Sequence, residues 1–241
     1  MKQFEDVILI MEKNGGYSTL GKLYKEVDVS NWKTKTPFAS IRRIVQDDKY
    51  FFKIRPGLWA LKSHKEKVLK TFNIAPENNQ KLVDNFNHTY YQGLLVEIGN
   101  MEGFDTFVPF QDKNKKFLAK PLLEYISMSE FYQFTYQHIV KRAITVDVCW
   151  FNERKFPFSL FEIEHSTDIQ NSLLKFLELQ DFNTNFHIVA DKAREREFIN
   201  KINSVAFVPI RSKVKFLNYD SLSIYHSRVF ELHSIKNTIR L

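Results

Sequence analysis

The chain has 241 residues, enough for one large domain or two small ones, and its hydrophobic fraction of 44% argues against disorder. Lys and Arg number 35 against 28 Asp and Glu, and the whole formal excess of +7 lies in residues 1–70, which hold 15 basic and 8 acidic residues. No long apolar run, basic leader or glycine-rich phosphate loop occurs, and Cys149 is the one cysteine, so we expect no membrane span, signal peptide, nucleotide cofactor or internal disulfide. These features predict a cytoplasmic protein whose N-terminal segment binds a polyanion.

Three short helices are predicted first. Apolar residues recur at helical spacing over residues 4–11, which predicts the first helix. Ser18 or Thr19 can cap the second helix. Thr36 and Pro37 fit the N-cap and the first residue of the third, because a proline at that position loses no helical hydrogen bond.

A basic hairpin is predicted next, with strands over residues 50–54 and 58–61 and a Pro-Gly turn between them. Three helices followed by a hairpin is the plan of a winged helix-turn-helix domain, whose third helix enters the major groove of DNA. We expect this domain to span residues 1–62. Its predicted DNA contacts are Lys33, Lys35, Thr36, Ser40, Arg42, Arg43, Lys53 and Arg55. The alternative is that these side chains are ordinary solvated surface residues.

Three short motifs carry a resemblance to a known module. They are Lys-Thr-Lys-Thr-Pro at residues 33–37, Ile-Arg-Arg-Ile at 41–44 and Arg-Pro-Gly-Leu-Trp at 55–59. The segment resembles the helix-turn-helix module found beside restriction endonucleases and in some chromatin proteins, the HARE-HTH type, over residues 2–62. The resemblance implies that the partner of this domain is double-stranded DNA.

The rest of the chain predicts a linker and an α/β domain. Residues 63–80 are polar, contain a proline and are predicted to be the linker, and residues 81–241 form the second domain. Its predicted helices are 81–101, 129–137, one from a cap at Ser166 or Thr167 to Leu177, 195–203 and 221–232. Its predicted strands are 104–110, 144–151, 158–164, 186–190, 205–210 and 214–217.

Three acidic residues lie on two of these strands. Asp147 lies within 144–151, and Glu162 and Glu164 lie within 158–164, where residues two apart share a face at about 6.6–6.8 Å. The short turn between the strands makes them neighbours, so all three acids can come together. Such a cluster needs a raised pKa or a cation, and Mg²⁺ is the cation that carboxylates bind. The alternative is that the acids face solvent on amphipathic strands.

The acid pattern resembles the catalytic core of the PD-(D/E)xK nuclease superfamily over about residues 85–210. That core is an α/β fold, of the α+β type with a mixed sheet. It has an acid on one strand, a second acid on the next strand and a Lys two residues further on. The resemblance rests on residues 146–150 and on Phe-Glu-Ile-Glu-His-Ser-Thr at 161–167. Glu164 stands at the Lys position, as in some restriction endonucleases, and Lys141 and Lys175 are candidates to supply the missing positive charge.

The resemblance implies phosphodiester hydrolysis that depends on Mg²⁺, for which Mn²⁺ can substitute. Asp147, Glu162 and Glu97, on the preceding helix, are the implied metal ligands and catalytic residues, and Glu164 is the implied residue that positions or activates water. Tyr91 and Gln92, on the same helix as Glu97, either contact substrate or pack. His165 is either structural or a phosphate contact.

We therefore predict a type II restriction endonuclease that cleaves double-stranded DNA. Because each active site addresses one strand, we expect a homodimer. Two alternatives stay open: a non-catalytic DNA-binding regulator whose nuclease-like domain dimerises, and a nuclease that acts on RNA or on modified DNA.

Overall fold

The structure is a computed structural model that describes residues 2–239. The chain forms two compact units, Met1–Val83 with Ser223–Leu241, and Asp84–Leu222. The second unit is therefore inserted in the sequence of the first. Among the described helices, none combines the length and apolarity that a bilayer crossing requires.

The first unit contains helices and a small antiparallel sheet. Its elements before residue 83 are α1 (Gln3–Lys13), β1 (Tyr17–Thr19), α2 (Leu20–Glu26), α3 (Pro37–Val45), β2 (Phe51–Arg55), β3 (Leu58–Leu61) and α4 (Lys65–Thr71). The strands pair in the order β1-β3-β2. The three predicted helices and both predicted strands are thus confirmed to within about two residues.

Local signals explain where these elements begin. Thr19 caps α2, since its hydroxyl accepts the amide of Lys22 at 3.2 Å. α3 begins at Pro37 as predicted, although the side chain of Thr36 makes no capping bond. Gly57 has φ +77, the left-handed conformation that the third residue of a type II turn requires.

The second unit surrounds a five-stranded sheet. Its elements are α5 (Gln80–Met101), β4 (Asp105–Phe107), β5 (Lys116–Phe117), β6 (Lys120–Pro121), α6 (Gln137–Ala143), β7 (Val148–Phe151), β8 (Pro157–Glu164), α7 (Ile169–Leu177), β9 (Asn185–Ala190), α8 (Glu195–Ile202), β10 (Val214–Asn218) and α9 (Tyr219–Ile239). α5 and α9 also extend into the first unit. The sheet order is β10-β9-β8-β7-β4, and β5 pairs with β6 in a separate small hairpin.

The sheet is mixed. β8, β9 and β10 are parallel, whereas β7 is antiparallel to both of its neighbours, β8 and β4. The predicted α/β class with a mixed sheet is therefore confirmed. A buried hydrophobic cluster lies in this unit and includes Phe151, Phe176 and Phe186.

Two predicted elements are wrong. Residues 129–136 are not helical, and α6 starts only at Gln137, because Phe131 and Phe134 of this segment pack against the ring of Phe151 in the core. Residues 205–210 do not form a strand. Val205–Phe207 is a single 3₁₀ turn, which buries Phe207 and leaves Val205 exposed.

Two predicted boundaries also change. Asp147 lies just before β7 rather than inside it, because Ile144 and the residues after it continue as turns from α6. α7 is capped by Asp168, whose side chain accepts the amide of Gln170, and not by Ser166 or Thr167. The hydroxyl of Thr167 is engaged elsewhere, on Glu164.

The predicted domain boundaries at residues 62 and 81 stay a prediction. Contacts place α4, within the predicted linker, in the first unit, together with the residues from Ser223 onward. Phe230 of α9 packs against the hydrophobic core of the first unit, which includes Val7, Leu23 and Ile41. Gly21 of α2 allows this approach, since a Cβ there would lie 2.5 Å from the Phe230 ring.

Candidate active site

The acidic residues gather at one end of the five-stranded sheet. In the β7–β8 pair Val148 lies opposite Phe161, so one further step along the ladder sets Asp147 against Glu162. The amide of Ile163 donates to Asp147 Oδ2 at 2.7 Å and fixes this juxtaposition. The parallel strands β8, β9 and β10 all end on this side, which we call the acid end. Ligand sites in open α/β sheets form outside such carboxyl ends.

Asp147 forms an ion pair with a histidine of α5. His88 Nε2 lies 3.2 Å from Asp147 Oδ2. Burial acts to raise the pKa of Asp147, but His88 and the Ile163 amide outweigh it and hold the pKa below its ordinary value. Burial likewise acts to lower the pKa of His88, but Asp147 raises it above the ordinary value. Together these shifts favour a carboxylate beside an imidazolium.

Glu162 is buried against α7. Lys175 Nζ donates to both Oε atoms of Glu162 at 2.8 Å and to the carbonyl of Thr145 at 3.2 Å. Ser172 Oγ, one turn earlier on α7, donates to Glu162 Oε2 at 2.9 Å. Burial and the neighbouring Asp147 nevertheless raise the pKa of Glu162 to about 8. The surrounding side chains therefore offset only part of the negative charge at this position.

Glu164 is also buried, and hydroxyl groups occupy both of its oxygens. Thr167 Oγ1 bonds to Oε2 and Ser172 Oγ to Oε1. Ser172 thus bridges two carboxyl groups with one hydroxyl hydrogen, so satisfying both contacts requires a proton on one carboxyl. Arg194 fixes the chain after β8 by donating to the carbonyls of Glu164 and Thr167 at 2.9 and 2.6 Å.

One face of α5 reaches Asp147. Gln92 Nε2 donates to the Asp147 carbonyl at 3.0 Å, and His88, one turn earlier, contacts the carboxylate. At about 100° per residue, Glu97 is turned about 140° from Gln92 and about 180° from His88 around the helix axis. The face of α5 that meets the acid therefore carries His88 and Gln92, while Glu97 is half-buried on another face.

His165 and Tyr91 belong to a polar and aromatic cluster beside the acids. His165 Nε2 lies 3.1 Å from Asp84 Oδ1 and 3.1 Å from Asn87 Nδ2, and its Nδ1 lies 3.3 Å from the Tyr219 hydroxyl. Tyr91 is buried and stacks on Tyr219 with ring centroids 3.7 Å apart. Of the two roles open for each residue, these contacts favour packing for Tyr91 and a structural role for His165.

The donor set at the acid end fits a magnesium ion held by two carboxylates. Mg²⁺ commonly takes one or two carboxylates and keeps several waters. Asp147 and Glu162 supply that pair, and a cation would relieve the repulsion that helps to raise the pKa of Glu162. Gln92 Oε1 is a further buried oxygen without a hydrogen-bond partner among the described residues. Within residues 2–239, no three His, Cys, Asp or Glu side chains form a group that could hold a metal ion.

The predicted DNA contacts of the first unit differ in their exposure to solvent. Those exposed are Lys33, Lys35, Thr36, Arg43 and Lys53. Ser40 is buried and donates to a backbone carbonyl within α3 at 3.3 Å. Arg42 lies 3.8 Å from Glu231, and Arg55 donates to the adjacent Ile54 carbonyl at 2.7 Å. Gln46, which was not among the predicted contacts, is exposed one turn after Arg43.

The sequence pattern did not indicate every residue of the site. Lys175 and Lys141 were equal candidates for the missing positive charge, and the structure separates them, since Lys175 contacts Glu162 whereas Lys141 is exposed. His88 and Ser172 were missed. Their signal lay in helical spacing, since His88 is four residues before Gln92 and Ser172 is three before Lys175, but that spacing acquires meaning only once the helices are docked on the sheet.

Comparison with known proteins adds two similarities. The family model of the type II restriction enzyme NmeDI C-terminal domain matches residues 72–238. The type II restriction enzyme NmeDI of Neisseria meningitidis serogroup C is 28% identical over 159 residues, which cover 61% of this chain and 42% of that enzyme. The chain thus matches less than half of the length of this relative. No solved structure matches significantly.

Proposed function

Since the chain belongs to the family of the type II restriction enzyme NmeDI C-terminal domain, we propose that it is a metal-dependent endonuclease that hydrolyses phosphodiester bonds in double-stranded DNA. The observation that carries the proposal is the pair of half-buried Asp147 and buried Glu162, with Lys175 in contact, at the acid end of the sheet. The matched region includes every side chain of this pair's surroundings. The proposal extends to this chain what the relative's name says of a longer protein.

Asp147 and Glu162 would hold Mg²⁺, or Mn²⁺ in its place. When bound, such an ion polarises a phosphate and lowers the pKa of a coordinated water. His88 and the Ile163 amide keep the Asp147 carboxylate ionised and oriented for this role. Glu97 stays a predicted third ligand, although the helix face that meets Asp147 carries other side chains.

Lys175 would supply the positive charge that Glu164 cannot. Its ammonium group lies 2.8 Å from both oxygens of Glu162, so it is placed to favour the ionised form of that acid and to attract a phosphate oxygen or orient a water. Glu164 has both oxygens engaged by Ser172 and Thr167, which supports a role in holding these hydroxyls rather than in activating water directly.

The first unit would bind DNA as a winged helix-turn-helix. Its helices and hairpin have the expected order, and α3 exposes Arg43 and Gln46 on one face while Lys33, Lys35 and Lys53 lie exposed nearby in sequence or on the hairpin. These cations would contact phosphates, which position a protein on DNA, and the α3 face would contact bases. A homodimer would place one active site on each strand.

Cleavage of plasmid and of linear duplex DNA tests the proposal. We expect nicking or cutting that requires Mg²⁺ or Mn²⁺ and is lost in Glu162→Gln. Glu153→Gln is the matched control, because Glu153 is an exposed acid in the turn at the opposite end of β7 and β8. Calorimetric titration with Mn²⁺ should show binding to wild type and to Glu153→Gln, and weaker binding to Glu162→Gln.

Two results would favour the alternatives. DNA binding without cleavage in any divalent cation, and no Mn²⁺ binding, would favour a non-catalytic regulator. Metal-dependent cleavage confined to RNA or to modified DNA would keep the acid pair as the active site and change the substrate.

A further inference from the structure

A basic hairpin lies at the acid end of the second unit. β4 is antiparallel to β7 with Phe107 opposite Cys149, so the chain leaves β4 on the side where Asp147 precedes β7. The segment that follows contains the small β5–β6 hairpin. Residues 111–120 hold four lysines and one acid, Asp112. We call residues 112–121 the basic hairpin.

The basic hairpin is fixed to α5 by a ring. Phe117 is buried and packs against Gly93, where a Cβ would lie 2.1 Å from the ring. Its ring also lies 5.1 Å from that of Tyr125, in an edge-on arrangement. A helix residue larger than glycine would force this contact apart, so the position of the hairpin on α5 depends on Gly93.

A buried polar path joins the basic hairpin to the catalytic aspartate. Gln92 Nε2 donates both to Asp112 Oδ2 at 2.8 Å and to the Asp147 carbonyl at 3.0 Å. Asp112 is itself buried and accepts Lys115 Nζ at 2.6 Å. Because the one acid of the hairpin is turned inward and neutralised there, it does not cancel the positive charge of the outer surface.

The outward side chains are cations. Lys116 is exposed, and Lys120 is 61% exposed and pairs across the surface with Glu124. Lys113 donates to the Ser129 carbonyl at 2.6 Å. Exposed ion pairs contribute little stability and exchange readily for a stronger anion. The hairpin therefore presents at least two exposed cations in a unit whose 16 Lys and Arg are outnumbered by 18 Asp and Glu.

We propose that the basic hairpin binds the phosphodiester backbone of the substrate beside the cut. This inference rests on the proposed function, because it needs a nucleic acid at the acid end. The lysines of the basic hairpin, next to the acid pair, suit a phosphate group as their ligand. Without nearby cations the acids would repel the phosphates of the substrate. Through Gln92, the hairpin and the backbone of Asp147 form one connected unit, so binding at the hairpin also holds the substrate in register with the acids.

The test is equilibrium binding of the full chain to a fluorescent 30-base-pair duplex in EDTA, where no cleavage occurs, over a range of salt concentrations. The double variant Lys116→Gln/Lys120→Gln should bind roughly tenfold more weakly, and its slope of log affinity against log salt should fall by about 2, since each phosphate contact contributes about 0.9. Lys116→Arg/Lys120→Arg should retain the wild-type slope.

The matched control is Arg154→Gln/Lys155→Gln. These two cations lie in the exposed turn between β7 and β8, about 23 Å along β8 from its acidic end. Affinity and slope unchanged in the control but reduced in the hairpin variant support the proposal. Equal slopes for wild type and the hairpin variant would overturn it while leaving the proposed nuclease function intact, whereas a wild type that binds no nucleic acid would overturn both.

Discussion

The first 70 residues hold their basic excess on exposed side chains such as Lys33, Lys35 and Arg43, whereas the acid end of the second unit holds oppositely charged groups in contact with one another and largely shielded from solvent. In the second unit Glu162 contacts Lys175 and Asp147 contacts His88. The net charge of the sequence gives no sign of either pair, because opposite charges cancel in it. The difference separates two uses of charge. Exposed cations attract a polyanion over a distance, while buried pairs hold groups in fixed positions and shift their pKa values.

The strongest test of this contrast is Lys175→Met. We expect the cleavage rate to fall roughly 10²–10³-fold, the loss typical for removal of one preorganised electrostatic group. Folding should survive, because the pKa of Glu162, already raised to about 8, lets that acid take up a proton when its cation is removed. Single-turnover cleavage with thermal unfolding as a folding check measures both.

Lys141→Met is the matched control for that substitution, since it removes an exposed lysine of α6. It should leave the rate unchanged. Equal losses in the two variants would show that the contact with Glu162 has no special role. Partial activity in Lys175→Arg would indicate that the positive charge is what matters.

A second test concerns His187 of β9, a half-buried titratable group outside the acid end. It stacks on Phe161 with ring centroids 4.7 Å apart, and burial, with a smaller effect of Lys215, lowers its pKa to about 4. The unfolded chain takes up this proton near pH 6.5, so the contribution of the neutral histidine is complete above that pH and is lost as the pH falls toward 4. The loss is at most about 3 kcal/mol.

Urea unfolding at several pH values measures this effect. Stability should fall between pH 6.5 and 4 in wild type, and His187→Phe should remove part of that fall. The control is His138→Phe, at an exposed position of α6. An identical pH dependence in wild type and His187→Phe would contradict the assignment.

The smallest expected effects concern exposed charge in the first unit. Arg43→Gln should weaken duplex binding by about 1 kcal/mol and reduce the salt slope by about 1, with a stability change below about 0.5 kcal/mol. Ser40→Ala should leave DNA affinity unchanged, because the Ser40 hydroxyl is bonded within α3. Anisotropy titrations compare the two. A larger loss of affinity in Ser40→Ala than in Arg43→Gln would reverse the assignment of the exposed face.

Most helices and strands could be predicted from local sequence signals, whereas the remaining elements depend on packing between distant parts of the chain. Thr19, Pro37 and Gly57 act within a few residues of themselves, so the sequence indicated their elements correctly. The prediction of a helix that starts at residue 129 was wrong because Phe131 and Phe134 pack against Phe151, which comes from a different part of the chain. The prediction of a strand over residues 205–210 was wrong because a short apolar run is compatible with either a strand or a turn.

The candidate site divides in the same way. The juxtaposition of Asp147 and Glu162 follows from two neighbouring strands and a short turn, and could be predicted. Lys175 and His88 reach the acids from α7 and α5, whose rotation about their own axes depends on how each helix packs on the sheet. Glu164 of β8 is predicted to position or activate water. The strand pattern could not predict that the hydroxyls of Thr167 and Ser172 contact its two oxygens.

The discontinuity of the first unit has a consequence for biosynthesis. α9 contributes Phe230 to the core around α2, but the ribosome makes Phe230 only after all of the second unit. The N-terminal helices therefore emerge with an open groove at Gly21, and this unit completes its core only when the later helix arrives. The first unit can therefore complete its core only after the acid end of the second unit has been made.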